Sequence, residues 1–182
     1  MKQVPRWATW CAHATLLTTL PSGLWRIAMG LQIPVGFTEK GLDEFGIPGW
    51  GTLYVFGLST FAETLAFLTL GLVRPWGEVW PRWIPFLGGK GIHPVTAIVP
   101  AACGAIAVTV ITISSAFRWD DAGLTMPSDS FAPDGGYDVV MACCYAPLLL
   151  WGPLLALVTA QYAWRRLGQR PQHPLQPLGS GA

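Results

Sequence analysis

Four long apolar runs occupy most of this chain and restrict what it can fold into. They cover about residues 7–31, 51–73, 94–117 and 137–164. A transmembrane helix needs about 20 predominantly apolar residues, so each run is long enough to cross a bilayer. Charged residues make up only 12% of the 182, whereas soluble domains carry about 25%. The sequence therefore predicts an all-α, polytopic membrane protein, a single four-transmembrane-helix bundle over residues 1–167.

Proline and glycine interrupt two of these runs. Pro21 and Gly23 lie in the second half of the first run, and Pro147 and Pro153 lie in the fourth. Proline removes a backbone donor, so we expect a kink in the first helix and interruptions in the fourth. Such breaks are tolerated in a bilayer when neighbouring helices or hydroxyl side chains satisfy the freed carbonyl groups.

Lysine and arginine residues predict the orientation of the bundle. Eight of the eleven lie in the N-terminal segment, the second loop and the C-terminal tail. Basic residues favour the cytoplasmic side, so both termini are expected in the cytoplasm. Acidic residues sort the other way, and Glu78 is the exception in the second loop. The tail over 168–182 has little apolar content, so we expect it to be disordered and cytoplasmic.

The sequence argues against several kinds of cofactor and partner. The four cysteines lie in apolar runs without a CxxC motif, which is typical of packing residues. His93 and His173 lie outside the runs, so a haem held between two histidines of the bundle is not expected. The acidic loops lack EF-hand spacing, and the basic residues are scattered rather than gathered in a nucleic-acid-binding patch. We therefore expect no cofactor, no metal site and no nucleic-acid partner.

The second run carries a carboxyl group near its middle. Glu63 lies 12 residues after Gly51, about 18 Å along a helix. An ionisable group at that depth costs at least about 2.5 kcal/mol and marks a candidate functional site. Desolvation favours the uncharged form, so we expect a protonated acid, suited to general acid catalysis or proton-coupled transport. The alternative is a neutral carboxyl group that only hydrogen-bonds a neighbouring helix.

The predicted surroundings of Glu63 come from three runs. Helical spacing places four residues of its own run on its face, which are Phe56, Ser59, Thr60 and Phe67. The first run presents a polar stripe formed by Cys11, Thr15, Thr19 (or Thr18), Ser22 and Arg26. If it faces inward, this stripe lines a cavity. We expect Arg26 either to extend to the lipid headgroups or to pair with Glu63.

Three further residues complete the candidate site. His13 lies near the depth of Glu63, and we expect it either to pair with that carboxyl or to bind a backbone carbonyl. Tyr145 is a possible hydrogen-bond donor at the same level, and Trp25 offers an aromatic face. We therefore assign Glu63, His13 and Tyr145 as candidate catalytic or proton-carrying residues. The candidate ligand-binding residues are Trp25, Arg26, Phe56, Ser59, Thr60 and Phe67.

Two stretches resemble a known group of proteins. These are LPSGLWRIAMGLQIPVGFTE, residues 20–39, and LTLGLVRPWGEVWPRWIPFLGGKGIHPVTAIVPA, residues 68–101. They resemble an uncharacterised family of small four-span integral membrane proteins from actinobacteria. The similarity covers about half the chain. It implies a four-helix membrane fold in an actinobacterial plasma membrane, and it transfers no catalytic residues.

Three functions fit the sequence. The first is a multi-pass membrane protein that holds a lipophilic or small ligand around Glu63, with proton-coupled transport as one form. The second is an intramembrane acid-type enzyme, such as a membrane-bound terpene cyclase or isomerase, in which Phe56, Phe67, Trp25 and Tyr145 shield a cation. The third is an accessory subunit that binds another membrane protein or a second copy of itself.

Overall fold

The chain folds into helices that follow the four apolar runs. A computed structural model describes residues 4–79, 89, 91–118 and 136–168. Within this part of the chain the structure is all-helical, apart from an isolated bridge between Val79 and Gly91. The predicted all-α class is confirmed. The predicted tail lies outside the described residues, except for Gly168.

Six α-helices and three short 3₁₀ segments make up the described structure. The helices are α1 (Arg6–Gly30), α2 (Glu39–Glu44), α3 (Trp50–Thr69), α4 (Pro94–Phe117), α5 (Tyr137–Tyr145) and α6 (Trp151–Leu167). The 3₁₀ segments are Leu70–Leu72, Pro75–Gly77 and Ala146–Leu150. The boundaries of α1, α3 and α4 agree closely with those predicted from the sequence.

Three helical stretches are long and apolar enough to cross a membrane: Trp50–Leu72, Pro94–Phe117 and Val139–Leu167. They correspond to the second, third and fourth apolar runs. α1 has 25 residues, but it is not one of the three. Its threonine, serine, histidine and arginine side chains lower its mean hydropathy. The described helices therefore support a membrane protein with three clear candidate spans.

The polar composition of α1 follows from its position inside the protein. α1 packs against α3, α5 and α6, and ten of its residues are buried. Thr15, Thr19 and Ser22 have no exposed surface, so the predicted polar stripe faces inward. Their hydroxyl groups bond backbone carbonyls of the preceding turn; the Thr15 hydroxyl donates to the Cys11 carbonyl at 2.9 Å. These bonds satisfy groups that would otherwise be buried unpaired.

The prolines act differently in the two interrupted runs. α1 remains one helix through Pro21. In the fourth run, Pro147 lies in the 3₁₀ segment that separates α5 from α6, so the interruption predicted there is observed. Pro153 lies in the first turn of α6. A missing N–H costs little at that position, so the second predicted break does not occur.

Glycine residues allow α1 and α3 to approach closely. A Cβ atom on Gly30 would lie 2.8 Å from Cε1 of Phe56 and 3.1 Å from Cγ2 of Val55. A Cβ atom on Gly23 would lie 3.1 Å from Oε1 of Glu63. Small residues serve this purpose in membranes, where backbone proximity strengthens helix packing. The two glycines thus bring the Glu63 carboxyl group directly against α1.

Two apolar clusters lie along α1 and α3. The first contains buried residues from α1, α3, α4 and α6, including Ala12, Ala66 and Val158. The second contains Trp25 and Val55 together with residues of the first loop. Along α1, Thr19 falls between these clusters, whereas Glu63 on α3 lies next to Ala62 and Ala66 of the first cluster. Thr19 and Glu63 form a polar layer inside the bundle.

The short helix α2 was not predicted from the sequence. Its N-cap residue, Thr38, accepts a hydrogen bond from the backbone N–H of Gly41 at 3.2 Å. Glu39 in the first turn favours the positive end of the helix dipole. A threonine followed by an acidic residue is a recognisable start signal for a helix. This start signal is present in the sequence, but the glycine-rich composition of the loop favoured the interpretation of a turn.

Candidate functional site

The centre of the candidate site is a hydrogen bond between α1 and α3. Oγ1 of Thr19 lies 2.9 Å from Oε2 of Glu63. The other carboxyl oxygen, Oε1, is buried and has no hydrogen-bond partner among the described residues. The Glu63 residue as a whole remains partly exposed. The carboxyl group is therefore only partly hydrogen-bonded, because Oε2 contacts Thr19 while Oε1 is buried against α1 without a partner.

The Thr19 hydroxyl group has two neighbouring oxygen atoms but only one hydrogen to donate. Oγ1 of Thr19 is also 2.9 Å from the carbonyl oxygen of Leu16. A hydroxyl group has one hydrogen to donate, but it can also accept. A protonated Glu63 satisfies both contacts, because it donates to Thr19 while Thr19 donates to Leu16. An ionised Glu63 leaves the two acceptors sharing one hydrogen.

Arg26 joins the same polar layer from α1. Its Nε donates to Oγ of Ser59 at 3.0 Å, and the Ser59 hydroxyl donates to the Val55 carbonyl at 2.7 Å. Its guanidinium carbon lies 5.8 Å from the centroid of the Tyr145 ring, a cation–π contact. Arg26 therefore contacts Ser59 and Tyr145, and the expected ion pair with Glu63 is not observed among the described residues. Its extension to the lipid headgroups stays a prediction.

His13 and Tyr145 lie apart from the carboxyl group. Nδ1 of His13 is 2.7 Å from the carbonyl oxygen of Thr9, so the ring binds its own helix. Of the two expectations for His13, the bond to a backbone carbonyl is the one observed. Tyr145 packs edge-on against Trp25, with 5.7 Å between ring centroids.

A groove runs beside the carboxyl group between α1 and α3. Its volume is about 440 Å³, and it opens on the side of the bundle. The lining residues are Leu16 and Ile27 from α1, and Ser59, Thr60, Glu63, Thr64 and Phe67 from α3. Sequence reasoning named four of these, all on α3. It missed Leu16, Ile27 and Thr64.

The aromatic residues predicted to surround Glu63 are divided between two places. Trp25 and Phe56 belong to the cluster at the Val55 end of the bundle. Phe67 lines the groove and stacks on Trp76, with ring centroids 5.7 Å apart. The rings therefore do not enclose the carboxyl group together.

The chemistry available at this site follows from these residues. Leucine, isoleucine and phenylalanine side chains offer an apolar wall, while Glu63 and the hydroxyl groups of Thr60 and Ser59 offer polar contacts. Within the described part of the chain, no group of three histidine, cysteine or acidic residues is placed to hold a metal ion. No family model, curated protein or solved structure matches this chain.

Proposed function

We propose that this chain is a four-span plasma-membrane protein that binds a lipophilic molecule in the groove between α1 and α3. The observation that carries this proposal is the Glu63 carboxyl group, placed mid-helix beside an open groove with Oε1 unpaired. A buried polar atom without a partner costs about 1–3 kcal/mol. A ligand that supplies the missing hydrogen bond recovers part of that free energy.

The packing of α1 supports four spans. Gly30 of α1 lies against Phe56, and Thr19 lies against Glu63, so α1 runs alongside α3 for much of its length. At 1.5 Å per residue, the 25 residues of α1 extend about 37 Å. Exposed indoles at Trp7 and Trp10 suit the headgroup level at its start. A helix that lies beside a spanning helix over this distance crosses the membrane with it.

The orientation and the membrane follow from the sequence. The excess of lysine and arginine near both termini and in the second loop favours cytoplasmic termini. The resemblance to an actinobacterial four-span family favours a plasma membrane.

The groove indicates the class of ligand. The groove has a volume of about 440 Å³ and is open rather than enclosed, so it suits a molecule that also contacts the surrounding lipid. Because the groove opens on the flank of α1 and α3, a hydrophobic molecule enters it from the bilayer. Oε1 faces α1, so a change of Glu63 rotamer presents the carboxyl group to the ligand. The ligand therefore has a hydrocarbon body and one hydroxyl or amine donor.

The hydrogen-bond geometry supports one specific form of this function, in which ligand binding is coupled to release of a proton from Glu63. A protonated Glu63 satisfies both contacts of the Thr19 hydroxyl group. An amine that binds as an ammonium ion replaces this proton as the positive partner of the carboxylate. The ligand and the proton then compete for one carboxyl group, so ligand binding releases the proton.

A second candidate is the accessory subunit, which one observation favours. The Thr19–Glu63 bond joins two helices, as a purely structural carboxyl group does. Glutamine at position 63 keeps this hydrogen-bonding capacity but carries no exchangeable acid. A structural role therefore tolerates Glu63→Gln, whereas ligand binding through the acid does not.

The test is photolabelling of the full-length protein in membranes, with a diazirine-bearing fatty amine and the matching fatty alcohol. Glu63→Gln removes the acid, and Thr60→Phe adds bulk to the groove while keeping the acid. Glu39→Gln, an exposed carboxyl outside the spans, is the control for the first variant. Ala107→Phe, at an exposed position of α4, is the control for the second.

Labelling of wild-type protein should fall on the α1 and α3 residues that line the groove. Loss of one hydrogen bond to a charged group is worth about 1.5–3 kcal/mol, so Glu63→Gln should reduce amine labelling by roughly tenfold or more. Thr60→Phe should reduce labelling with both probes, and the two control variants should match wild type. Labelling at the wild-type level in both Glu63→Gln and Thr60→Phe would exclude this function.

A further inference from the structure

The last turn of α6 carries two arginines that bind both ends of the second loop. Nη2 of Arg165 forms an ion pair with Oε1 of Glu78 at 2.6 Å, and it donates to the Leu72 carbonyl at 3.3 Å. Nη2 of Arg166 donates to the Ile92 carbonyl at 3.0 Å. We call Glu78, Arg165 and Arg166 the basic clamp. It was missed from the sequence because its members lie far apart along the chain.

The basic clamp carries more positive than negative charge. Two guanidinium groups face one carboxylate, which leaves a formal charge of +1 on the clamp. Both guanidinium carbons lie over the ring of buried Tyr162, at 5.6 Å for Arg165 and 6.0 Å for Arg166. The ring attracts both cations without neutralising either. The clamp therefore suits an additional anion.

Several donors of the clamp have no hydrogen-bond partner among the described residues, and the Nε atoms of Arg165 and Arg166 are two of them. Nη1 of Arg166 is 3.7 Å from Oε2 of Glu78, which is beyond hydrogen-bond distance. The Arg166 side chain keeps 20% of its surface exposed, compared with 10% for Arg165. Arg166 therefore holds the loop through Nη2, while its Nη1 makes no hydrogen bond within the described residues and keeps only the long ion pair with Glu78.

Neighbouring indoles place the clamp at headgroup depth. Trp164, the residue before Arg165, is 82% exposed at the end of a membrane-span candidate. Trp76, two residues before Glu78, is also exposed. Exposed tryptophans at helix ends prefer the boundary between hydrocarbon and headgroups, where lipid phosphates lie.

We infer that the basic clamp binds the phosphate group of an anionic phospholipid, with Nη1 of Arg166 as the principal donor. Arginine is suited to phosphate because its planar donors match the phosphate oxygens. The positive charge of the clamp favours an anionic over a zwitterionic headgroup. This site is separate from the groove beside Glu63, and neither proposal depends on the other.

The test compares lipids retained by the full-length protein after release from nanodiscs, measured by native mass spectrometry. The nanodiscs contain phosphatidylcholine with an equal amount of phosphatidylglycerol. Arg166→Gln removes the donor. Arg118→Gln, an exposed arginine directly after α4, is the matched control. A second arm adds glycerol phosphate to protein in phosphatidylcholine alone and follows the melting temperature.

Wild-type protein and Arg118→Gln should retain phosphatidylglycerol preferentially, and Arg166→Gln should reduce this preference by about fivefold. Phosphatidylglycerol should raise the melting temperature of wild-type protein, whereas glycerol phosphate should not. Lack of a preference in wild-type protein overturns the proposal even if the variant fails to fold. An equal preference in Arg166→Gln overturns the assigned donor. Stabilisation by glycerol phosphate alone would identify free phosphate, not lipid, as the ligand.

Discussion

Removal of the Thr19 hydroxyl group should destabilise the protein only when Glu63 is present. Thr19→Val keeps the shape of the side chain but leaves Oε2 of Glu63 without its partner. Because Oε1 is already unpaired, the whole carboxyl group then lacks a hydrogen bond from α1. In a Glu63→Leu background the same substitution removes only a bond between Thr19 and its own helix.

The contacts of Glu63 determine how much stability Thr19→Val should remove. A buried polar group left without a partner costs about 1–3 kcal/mol, while hydrogen bonds between membrane helices average about 0.6 and reach about 1.7 kcal/mol. We therefore expect Thr19→Val to cost about 1–2 kcal/mol in wild-type protein and less than about 0.5 kcal/mol in Glu63→Leu. The coupling free energy between the two positions is therefore at least about 0.5 kcal/mol by the same reasoning.

The assay is reversible unfolding of the four proteins in mixed micelles, followed by tryptophan fluorescence. Thr64→Val serves as a control, because the Thr64 hydroxyl bonds its own helix at an exposed position. It should change the free energy of unfolding by less than about 0.5 kcal/mol. A coupling free energy below about 0.3 kcal/mol would show that the Thr19–Glu63 contact does not hold α1 to α3.

Two further predictions concern packing and orientation. A Cβ atom on Gly152 would overlap Oγ1 of Thr109 and lie 2.9 Å from its backbone nitrogen, so Gly152→Ala should cost about 1–3 kcal/mol in the same assay. Gly57→Ala, which has nothing within 4 Å of the added atom, should cost nothing. In a cysteine-free background, Lys40→Cys should react with an impermeant maleimide in intact cells. Arg74→Cys should react only after lysis, and the reverse pattern would invert the proposed topology.

The sequence predicted the helices well because their signals are local. Apolar run length determined the bounds of α3 and α4, and Pro147 marked the change from α5 to α6. The position of Glu63 in an apolar run identified the polar centre of the bundle. Helical periodicity also placed Thr19 on the buried stripe of α1, where the structure shows it.

The partners of these residues were harder to predict because they depend on contacts between helices. The chain has 21 glycines, and nothing in the sequence indicates that Gly23 and Gly30 are the ones that contact α3. Arg26 was expected to interact with lipid or with Glu63, whereas the packing of α1 on α3 brings Ser59 closer. His13 binds the Thr9 carbonyl because that group lies one turn away on the same helix.

The central claim is that the Glu63 carboxyl group is reached from the bilayer and not from water. Carbodiimides attach to protonated carboxylic acids, and dicyclohexylcarbodiimide partitions into lipid, while a water-soluble carbodiimide does not. In native membranes the lipophilic reagent should modify Glu63, as peptide mass spectrometry would show, and Thr60→Phe should suppress the adduct. The account predicts little adduct at Glu63 from the soluble reagent, which should instead modify exposed Glu39. Modification of Glu63 by the soluble reagent alone, or by neither reagent, would contradict it.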